Sequence, residues 1–302
     1  MTTTTGLTGP MQLYYDRVFL DRAEAELRYD WGAQKRTIPM DGGKSIVFNR
    51  FSTLAAQTTP LTEGVNPTAI DMTSTVVSAT VLEYGAYVSV STLFNMTSID
   101  EGLKEHIAVL GYNAGFTVDS LIAAEMKSGA TVQLAGAKSN ITAVAATDTL
   151  SSTEIKKAVR TLKKNFARTF ENGMFKGIAP VSGVYDLRGD ATWLSAQIYT
   201  DASKVKNGQI GALHGVDFVE TNNEVTTSST VTVYHTFIFG MNAVGTVSLA
   251  GQPDKHIYIK NPGATDTSNP LDMFSTIGWK VAFVPKTLNA NWIIQIEHGV
   301  TA

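Results

Sequence analysis

The strongest hydrophobic pattern in the chain predicts one long amphipathic helix. Apolar residues recur at spacings of three and four at Ile99, Leu103, Ile107, Leu110, Ala114, Val118, Leu121 and Ile122. Ser98 and Glu101 form a capping box before this series, and Gly129 is placed to end it. The pattern therefore predicts a helix from Ile99 to Lys127, about 43 Å long at about 1.5 Å per residue.

Shorter helical patterns flank this long helix. One runs from Met11 to about Tyr29, and a second follows a capping box made by Ser151 and Glu154. A further helix is expected around Trp193. Inside the long helix, two glycines, at positions 111 and 115, lie one turn apart. Each costs about 1 kcal/mol relative to alanine, so we expect another segment to pack closely there.

The β-type patterns point to a hairpin that extends from the body of the protein. Ser45–Phe51 and Val76–Ser91 are rich in β-branched and aromatic residues, and neither face of the second segment is purely polar. The 24 residues between them, Ser52–Thr75, show little periodicity. Loops of that length are uncommon inside compact domains unless they are disordered or functional. We therefore expect a long hairpin that reaches away from the body.

Other segments are read from the same patterns. Thr131–Thr149 is small, polar and alanine-rich, which predicts a linker or mobile loop. Trp279–Phe283 and Trp292–Ile296 return to a β pattern, and the first ten residues are expected to be disordered because they have little to bury.

Composition and charge narrow the class of protein. The chain has 302 residues, no cysteine and a formal net charge of −3, from 24 basic and 27 acidic residues. The absence of cysteine removes disulfides and thiolate metal sites, and the balance of charge is unlike that of strongly basic nucleic-acid binders. We find no secretory signal and no apolar run that approaches the roughly 20 residues of a membrane span.

The search for catalytic motifs is negative. Gly42–Ser45 has part of a phosphate-binding loop, but Ile38 stands where the first glycine is required, which favours a turn before a strand. No GxSxG motif occurs, and none of the five histidines has another histidine at metal-ligand spacing. The sequence therefore predicts a protein that is not an enzyme and holds neither a metal nor another cofactor.

One charged cluster remains a candidate for contact with nucleic acid. The helix that begins near Ser151 carries basic residues on its polar side: Lys156, Lys157, Arg160, Lys163, Lys164 and Arg168. Such residues can neutralise phosphates, but they also occur on the solvated side of ordinary amphipathic helices. No interleaved aromatic set is present for base stacking.

Five strings, in order, resemble one family of tailed-phage major capsid proteins. They are PLTEGVNPT (60–68), EYGAYVSVS (83–91), TEIKKAVRTLKKN (153–165), GALHGVDFVETNN (211–223) and NPLDMFSTIGWKVAF (269–283). Each string alone is weak, but their order and spacing also match, and the resemblance covers about residues 11–297. It implies the tailed-phage major capsid fold, an α+β architecture.

The resemblance also implies a division of the chain. An N-terminal arm would occupy residues 1–34, and an extended β-hairpin loop residues 35–92. A peripheral domain with the spine helix 99–127 would comprise residues 93–150 and 276–302. An axial domain would comprise residues 151–275.

The implied function is structural. Copies would form the hexamers and pentamers of an icosahedral shell around double-stranded DNA, contacted non-specifically through Lys156, Lys157, Arg160, Lys163 and Lys164. Expected partners are the chain itself, a separate scaffolding protein, a portal and a decoration protein, with no membrane. The protein would be made in the host cytoplasm and reside in the virion capsid. Large or charged residues on the arm and loop are the candidate intersubunit contacts: Arg17, Arg22, Arg50, Phe51, Glu63, Glu83 and Tyr87.

Three alternatives stay open at the level of sequence. The first is the shell protein of a cellular nanocompartment with the same fold, which would enclose a cargo enzyme and no DNA. The second is a soluble enzyme with a dispersed site, which the missing motifs and the overlong hairpin disfavour. The third is an adhesion or tail-associated β protein, which the long helix disfavours.

Overall fold

The computed structural model describes residues 19, 22, 28–52, 54–97, 102–191, 211–250, 256–260, 271 and 273–301. The described strands are β1 (Gln34–Ile38), β2 (Ser45–Phe51), β3 (Ser74–Thr80), β4 (Leu82–Ser91), β5 (Thr131–Leu134), β6 (Phe175–Pro180), β7 (Ala212–Leu213), β8 (Val216–Thr221), β9 (Thr226–Ser228), β10 (Thr232–Phe239), β11 (Val244–Leu249), β12 (His256–Lys260), β13 (Phe274–Thr287) and β14 (Ile293–His298). The described α-helices are α1 (Thr92–Thr97), α2 (Gly102–Gly129), α3 (Ser152–Lys164) and α4 (Val181–Arg188). This is a mixed α+β fold, as predicted.

The first sheet is organised around the long strand β13. One edge of β13 pairs antiparallel with β4, from Phe274 opposite Ser91 to Phe283 opposite Leu82. Its other edge pairs with β12 in its first half and β11 in its second half. Strand β1 is parallel to β11 and closes the far side. The sheet therefore joins segments from the start, middle and end of the chain.

Helix α2 packs on one face of this sheet. The predicted stripe is confirmed where side chains are described: Ile107, Leu110, Ala114, Val118 and Ile122 are all buried, against partners that include Ile277, Trp279 and Val281 of β13. Because apolar positions recur every three or four residues, one side of the helix faces the sheet along its length.

The glycines inside α2 confirm the expected close approach. A Cβ atom on Gly111 would lie 2.7 Å from the carbonyl oxygen of Phe19, so the N-terminal segment crosses the helix here. Gly115 is also buried. At the end of the helix, a Cβ atom on Gly129 would overlap the side chain of Thr287. That glycine is therefore required by packing against β13.

By length and composition, Glu105–Gly129 of α2 could cross a membrane, but half of that stretch is buried within the fold. This finding corrects the expectation that no apolar run approaches such a length. The buried carboxylate of Asp119, which lies in the same stretch, is typical of a core helix whose polar partners come from its own chain.

The second sheet has the order β5-β14-β10-β6-β8-β7, and β9 also pairs with β10. One of its faces shares the core beneath α2, through residues such as Phe237 and Ile293. Its other face carries α3 and α4, through a core that includes Ile155, Leu162 and Ile296. The two sheets are thus joined through a common apolar layer.

The hairpin is a separate two-stranded ribbon. β2 and β3 pair antiparallel from Ser45–Thr80 to Phe51–Ser74. A small core fastens its base to the first sheet and is made by Ile38, Phe48, Ala79, Val81, Val247 and Ala282.

Several local expectations need correction. The single strand predicted over Val76–Ser91 is two strands, because Val81 is buried at the base and β4 leaves the hairpin for β13. Thr131–Leu134, expected to be part of a linker, is a strand parallel to β14. Arg28 and Tyr29, predicted as the end of the first helix, are not helical.

The capping boxes have different outcomes. Ser98 and Glu101 lie outside the described residues, as does the segment around Trp193. Helix α3 begins as predicted after Ser151, but the side chain of Ser151 makes no capping hydrogen bond. Glu154 instead accepts hydrogen bonds from Gln133 and Lys157. The turn predicted before β2 within Pro39–Gly43 is confirmed, since the N–H of Gly42 donates to the carbonyl oxygen of Pro39 at 3.0 Å.

Candidate intersubunit surfaces

The hairpin carries a loop that no described part of its own chain covers. Residues 52–73 connect β2 to β3, and every residue described between them is exposed. The neck is closed by Ser52, whose N–H donates to the carbonyl oxygen of Thr73 at 2.9 Å. At the tip, the N–H of Val65 donates to the carbonyl oxygen of Thr62 at 3.2 Å. The loop therefore begins where the ribbon ends, and the ribbon itself extends about 23 Å, at about 3.3 Å per residue.

The loop has the surface chemistry of a buried contact. Its large apolar side chains, Leu54, Leu61, Val65, Ile70 and Met72, are between 48% and 76% exposed. Its charged residues are Glu63 and Asp71, and it contains no basic residue. A contiguous apolar surface with a polar rim is typical of protein contact sites.

A second surface lies on the outer face of the first sheet, opposite α2. Gly278 of β13 lies between Tyr87 of β4 and Tyr258 of β12 in the same row of the sheet. Adjacent strands are about 4.8 Å apart, so the two tyrosines stand about 10 Å apart across a glycine floor. A Cβ atom on Gly278 would lie 2.8 Å from that of Tyr87, so a larger residue would fill this groove.

Charged residues surround the Tyr87–Gly278–Tyr258 groove. The ammonium group of Lys280 lies 2.9 Å from the carboxylate of Glu83, and Lys260 is exposed on β12. The hydrogen bond from Lys280 to Glu83, followed by their charge attraction, raises the pKa of Lys280. The rim of the groove therefore carries charged side chains of both signs.

The residues predicted to contact other subunits fall in separate places. Arg50, Phe51 and Glu63 are exposed on the hairpin and its loop, and Tyr87 is exposed on the first sheet. Glu83 is close to Tyr87, but it pairs with Lys280 of its own chain. Arg22 is exposed where the N-terminal segment crosses α2, and Arg17 lies outside the described residues.

Sequence reasoning missed half of the groove. Tyr258, Gly278 and Lys280 were not selected, although the alternation of side chains along a strand places positions 278 and 280 on one face. Their partners on β4 and β12 are distant in sequence, so only the strand register brings them together.

The predicted basic cluster is present on the outer side of α3. Lys156, Arg160, Lys163 and Lys164 are exposed, and Arg168 is exposed just beyond the helix. Lys157 is partly withdrawn from this set, because its ammonium group lies 2.8 Å from the carboxylate of Glu154. The opposite side of α3, including Ile155 and Leu162, packs on the second sheet.

A buried carboxylate holds the base of the N-terminal segment against α2. Asp119 is fully buried and accepts the backbone N–H groups of Arg28 and Tyr29 at 2.8 and 2.7 Å. Its other oxygen accepts the side-chain amide of Asn223 at 3.0 Å. Burial raises the pKa of Asp119, although these three hydrogen bonds act in the opposite direction. Asp119 therefore ties two distant segments to the helix.

Among the described residues, no group of three or more histidine, aspartate or glutamate side chains is placed to hold a metal ion.

No model of a known protein family matches the sequence, and no curated protein matches it. Solved structures do match. The capsid of Ralstonia phage GP4 has a TM-score of 0.70 at 13% identity, over 89% of this chain and 87% of that chain. The head of Helicobacter pylori bacteriophage KHP40 has a TM-score of 0.65 at 11% identity, over 89% and 88% of the two chains.

A virus-like particle from Pyrococcus furiosus is also similar, with a TM-score of 0.53 at 12% identity over 95% of this chain and 99% of that chain. The phage capsids align along almost the whole length of the chain, and this agrees with the sheets, the long helix and the hairpin described above. The chain has the major capsid fold of the tailed bacteriophages.

Proposed function

We propose that this chain is a major capsid protein whose copies assemble into the hexamers and pentamers of an icosahedral shell around double-stranded viral DNA. The observation that carries the proposal is the hairpin loop 52–73, whose exposed apolar side chains are left uncovered by the described part of the chain. In a shell, such a loop is covered by another copy. The protein would be made in the host cytoplasm and reside in the virion capsid.

The loop of one copy would dock on the outer sheet face of a neighbour. Its apolar residues match the aromatic walls of the groove, and its two acids would meet Lys280 at the rim. Complementary charge at such contacts sets partner choice and register more than affinity. Tyr87 would then be an intersubunit contact through the groove, whereas Arg50, Phe51 and Glu63 would contribute from the hairpin.

The outer side of α3 would face the packaged DNA. The exposed cations Lys156, Arg160, Lys163 and Lys164 lie on one side of a helix whose other side is buried. Contacts of this kind are made to phosphates and carry no sequence specificity. A separate scaffolding protein, a portal and a decoration protein would complete the assembly, and the chain itself would act as no enzyme.

The direct test is negative-stain electron microscopy of the full chain, expressed alone and together with the products of its neighbouring genes. We expect closed shells, hexameric rings or tubes in at least one of these conditions. A monodisperse monomer in every condition would contradict the proposal.

The loop contact is tested by Glu63→Arg. Glu63 is exposed near the tip of the loop, so the substitution should leave the subunit folded but reduce the yield of closed shells, because it replaces by a cation one of the two loop acids that would meet Lys280 of a neighbour. Thr59→Arg is the matched control, since it adds the same side chain to the loop without removing an acid. Normal shells from Glu63→Arg would contradict the loop assignment.

A second candidate is the shell protein of a cellular nanocompartment, which the likeness to the Pyrococcus furiosus virus-like particle favours. The contents of purified shells distinguish the two functions. Nuclease-protected double-stranded DNA supports the capsid, whereas a stoichiometric cargo protein without DNA supports the nanocompartment.

A further inference from the structure

Helix α3 ends in a motif that normally contains glycine. The N–H of Ala167 donates to the carbonyl oxygen of Leu162 at 3.0 Å, and the N–H of Phe166 donates to the carbonyl oxygen of Lys163 at 3.1 Å. These two hydrogen bonds form a Schellman motif, in which the residue after the cap adopts the left-handed conformation. That residue is Phe166, whose φ is 53°. A bulky residue seldom adopts this conformation, because its Cβ atom comes too close to the following carbonyl oxygen.

Burial does not account for phenylalanine at this position either. Phe166 is 85% exposed, more than any other large apolar residue in the described part of the chain. Its ring therefore contributes little to the core of its own subunit. A strained backbone and an exposed ring thus occur at the same residue, and backbone strain that the fold does not need is concentrated at functional sites.

The ring projects from a fixed base. Before it in the chain, the side-chain amide of Asn165 donates to the carbonyl oxygen of Asn291 at 3.1 Å, and the indole N–H of Trp292 donates to the carbonyl oxygen of Asn165 at 3.1 Å. After it, Ala167 packs against the core beneath α3. Because the residues on both sides of Phe166 are held, the ring can contact a partner with little further loss of backbone freedom.

The charged residues on either side of Phe166 in the sequence are cations. Residues 155–170 include six basic residues and no acid. Among them, Lys163 and Lys164 lie in the last turn of α3 and Arg168 follows the helix, and all three are exposed. Lysine is depleted at contacts between proteins. A cationic surface with an exposed aromatic ring is instead typical of proteins that bind single-stranded nucleic acid.

We infer that Phe166 stacks on an unpaired base while Lys163, Lys164 and Arg168 bind the adjacent phosphates. The inference rests on the proposed contact of α3 with DNA and adds a preference to it, since the site should bind a single strand more tightly than a duplex. In a duplex the faces of the bases are covered by their neighbours, so only the cations act, through the phosphates. On a single strand, stacking on an aromatic side chain adds affinity whatever the base.

The test is fluorescence anisotropy of the full, unassembled chain with two labelled probes, an oligothymidylate of about 20 nucleotides and a duplex of the same length. Stacking of one base changes affinity by about 5-fold to 100-fold. We therefore expect Phe166→Ala to weaken binding of the oligothymidylate by about 5-fold or more and to leave binding of the duplex unchanged. Lys163→Gln should weaken binding of both probes, because it removes a phosphate contact.

Tyr185→Ala is the matched control for loss of an exposed aromatic ring. Tyr185 is 72% exposed on α4, outside the basic cluster, so this variant should bind both probes as the wild type does. A loss of oligothymidylate binding equal to that of Phe166→Ala would overturn the inference, because exposed rings would then act without regard to the cations. Equal losses for both probes in Phe166→Ala, or no loss for either, would also overturn it.

A further variant separates a role in binding from a role in the fold. Phe166→Gly introduces the residue that the left-handed conformation favours. It should leave the urea midpoint of unfolding unchanged or higher, and it should lose as much affinity for the oligothymidylate as Phe166→Ala. A lowered midpoint would overturn the inference, since the ring would then stabilise the fold. Because binding is measured on the unassembled chain, its failure leaves the test of shell formation by electron microscopy unaffected.

Discussion

Replacement of Asp119 by alanine should be one of the most destabilising single changes in α2. The side chain is fully buried and accepts the backbone N–H groups of Arg28 and Tyr29 and the amide of Asn223. The amide of Asn223 keeps a second partner, Oγ of Ser120 at 3.1 Å. The two backbone donors have no other partner in this network, so the substitution leaves them unsatisfied.

The magnitude follows from those two donors. A buried donor that loses its partner costs about 1–3 kcal/mol. The N–H of Tyr29 is buried, whereas Arg28 is exposed and its N–H is only part-buried, so its loss costs less. Part of this cost is offset, because burial already opposes the charged carboxylate and raises its pKa. We expect a net loss of about 2 kcal/mol in the free energy of unfolding for Asp119→Ala. Asp119→Asn keeps one accepting oxygen and should lose about half as much.

The assay is equilibrium unfolding of the unassembled chain in urea, followed by tryptophan fluorescence. Glu105→Gln is the control, since Glu105 is an exposed acid on the same helix and should change the free energy of unfolding by under about 0.5 kcal/mol. A value for Asp119→Ala within the same range would refute the reasoning, because the two N–H groups would then have found other acceptors.

The pH dependence of the same variant checks the electrostatic part. The folded chain holds the Asp119 proton more tightly than the unfolded chain, so this group contributes less stability as pH rises through its raised pKa. The difference in unfolding free energy between the wild type and Asp119→Ala should therefore widen as pH is lowered. A difference that narrows toward acid pH would contradict this sign.

Three further predictions concern the hairpin base, the α2 crossing and acid stability. Phe48→Ala should lower the free energy of unfolding by about 3 kcal/mol, because Phe48 is 5% exposed at the hairpin base. Proteolysis of the hairpin should be faster in this variant than in the exposed control Val76→Ala, and equal rates would contradict the prediction. Gly111→Val should lower the free energy of unfolding in urea by about 1–3 kcal/mol, because the new side chain meets the backbone of Phe19. An unchanged urea midpoint would contradict the prediction, since the backbone at Phe19 would then move aside without cost. Burial lowers the pKa of His298 to about 4. Its contribution to the free energy of unfolding is therefore complete above about pH 6.5 and is lost as the pH falls toward 4, by up to about 3 kcal/mol. His298→Gln should reduce the slope of the free energy of unfolding against pH in this range, and an unchanged slope would contradict the prediction.

The elements that were predicted correctly are those whose pattern is local. Helix α2 needs only apolar residues at spacings of three and four, and the predicted apolar residues whose side chains are described pack on one side. The same holds for α3 and for the hairpin, which the long aperiodic stretch between two β patterns marks clearly. The low helix propensity of glycine predicted that another segment packs closely at Gly111, but it did not identify that segment.

The expectations that failed depended on partners distant in sequence. Val76–Ser91 has one continuous β pattern, but the burial of Val81 at the hairpin base and the pairing of β4 with β13 divide it in two. Thr131–Leu134 is only four residues long, too short to show a pattern of its own, and it is a strand because it pairs with the edge of β14. Propensity is a weak signal where cross-strand packing decides.

The sequence by itself determined the long helix, the uncovered loop and the basic side of α3, because each follows from the order of apolar and charged residues along the chain. The fold class followed from the resemblance of five strings to a known family. Three features depend on the tertiary structure alone: the groove between Tyr87 and Tyr258, the hydrogen bonds of Asp119 to the N-terminal segment, and the contact of Gln295 with His235. Each of these joins residues that are many positions apart. Strand register and helix packing, which no local pattern encodes, bring them within contact distance.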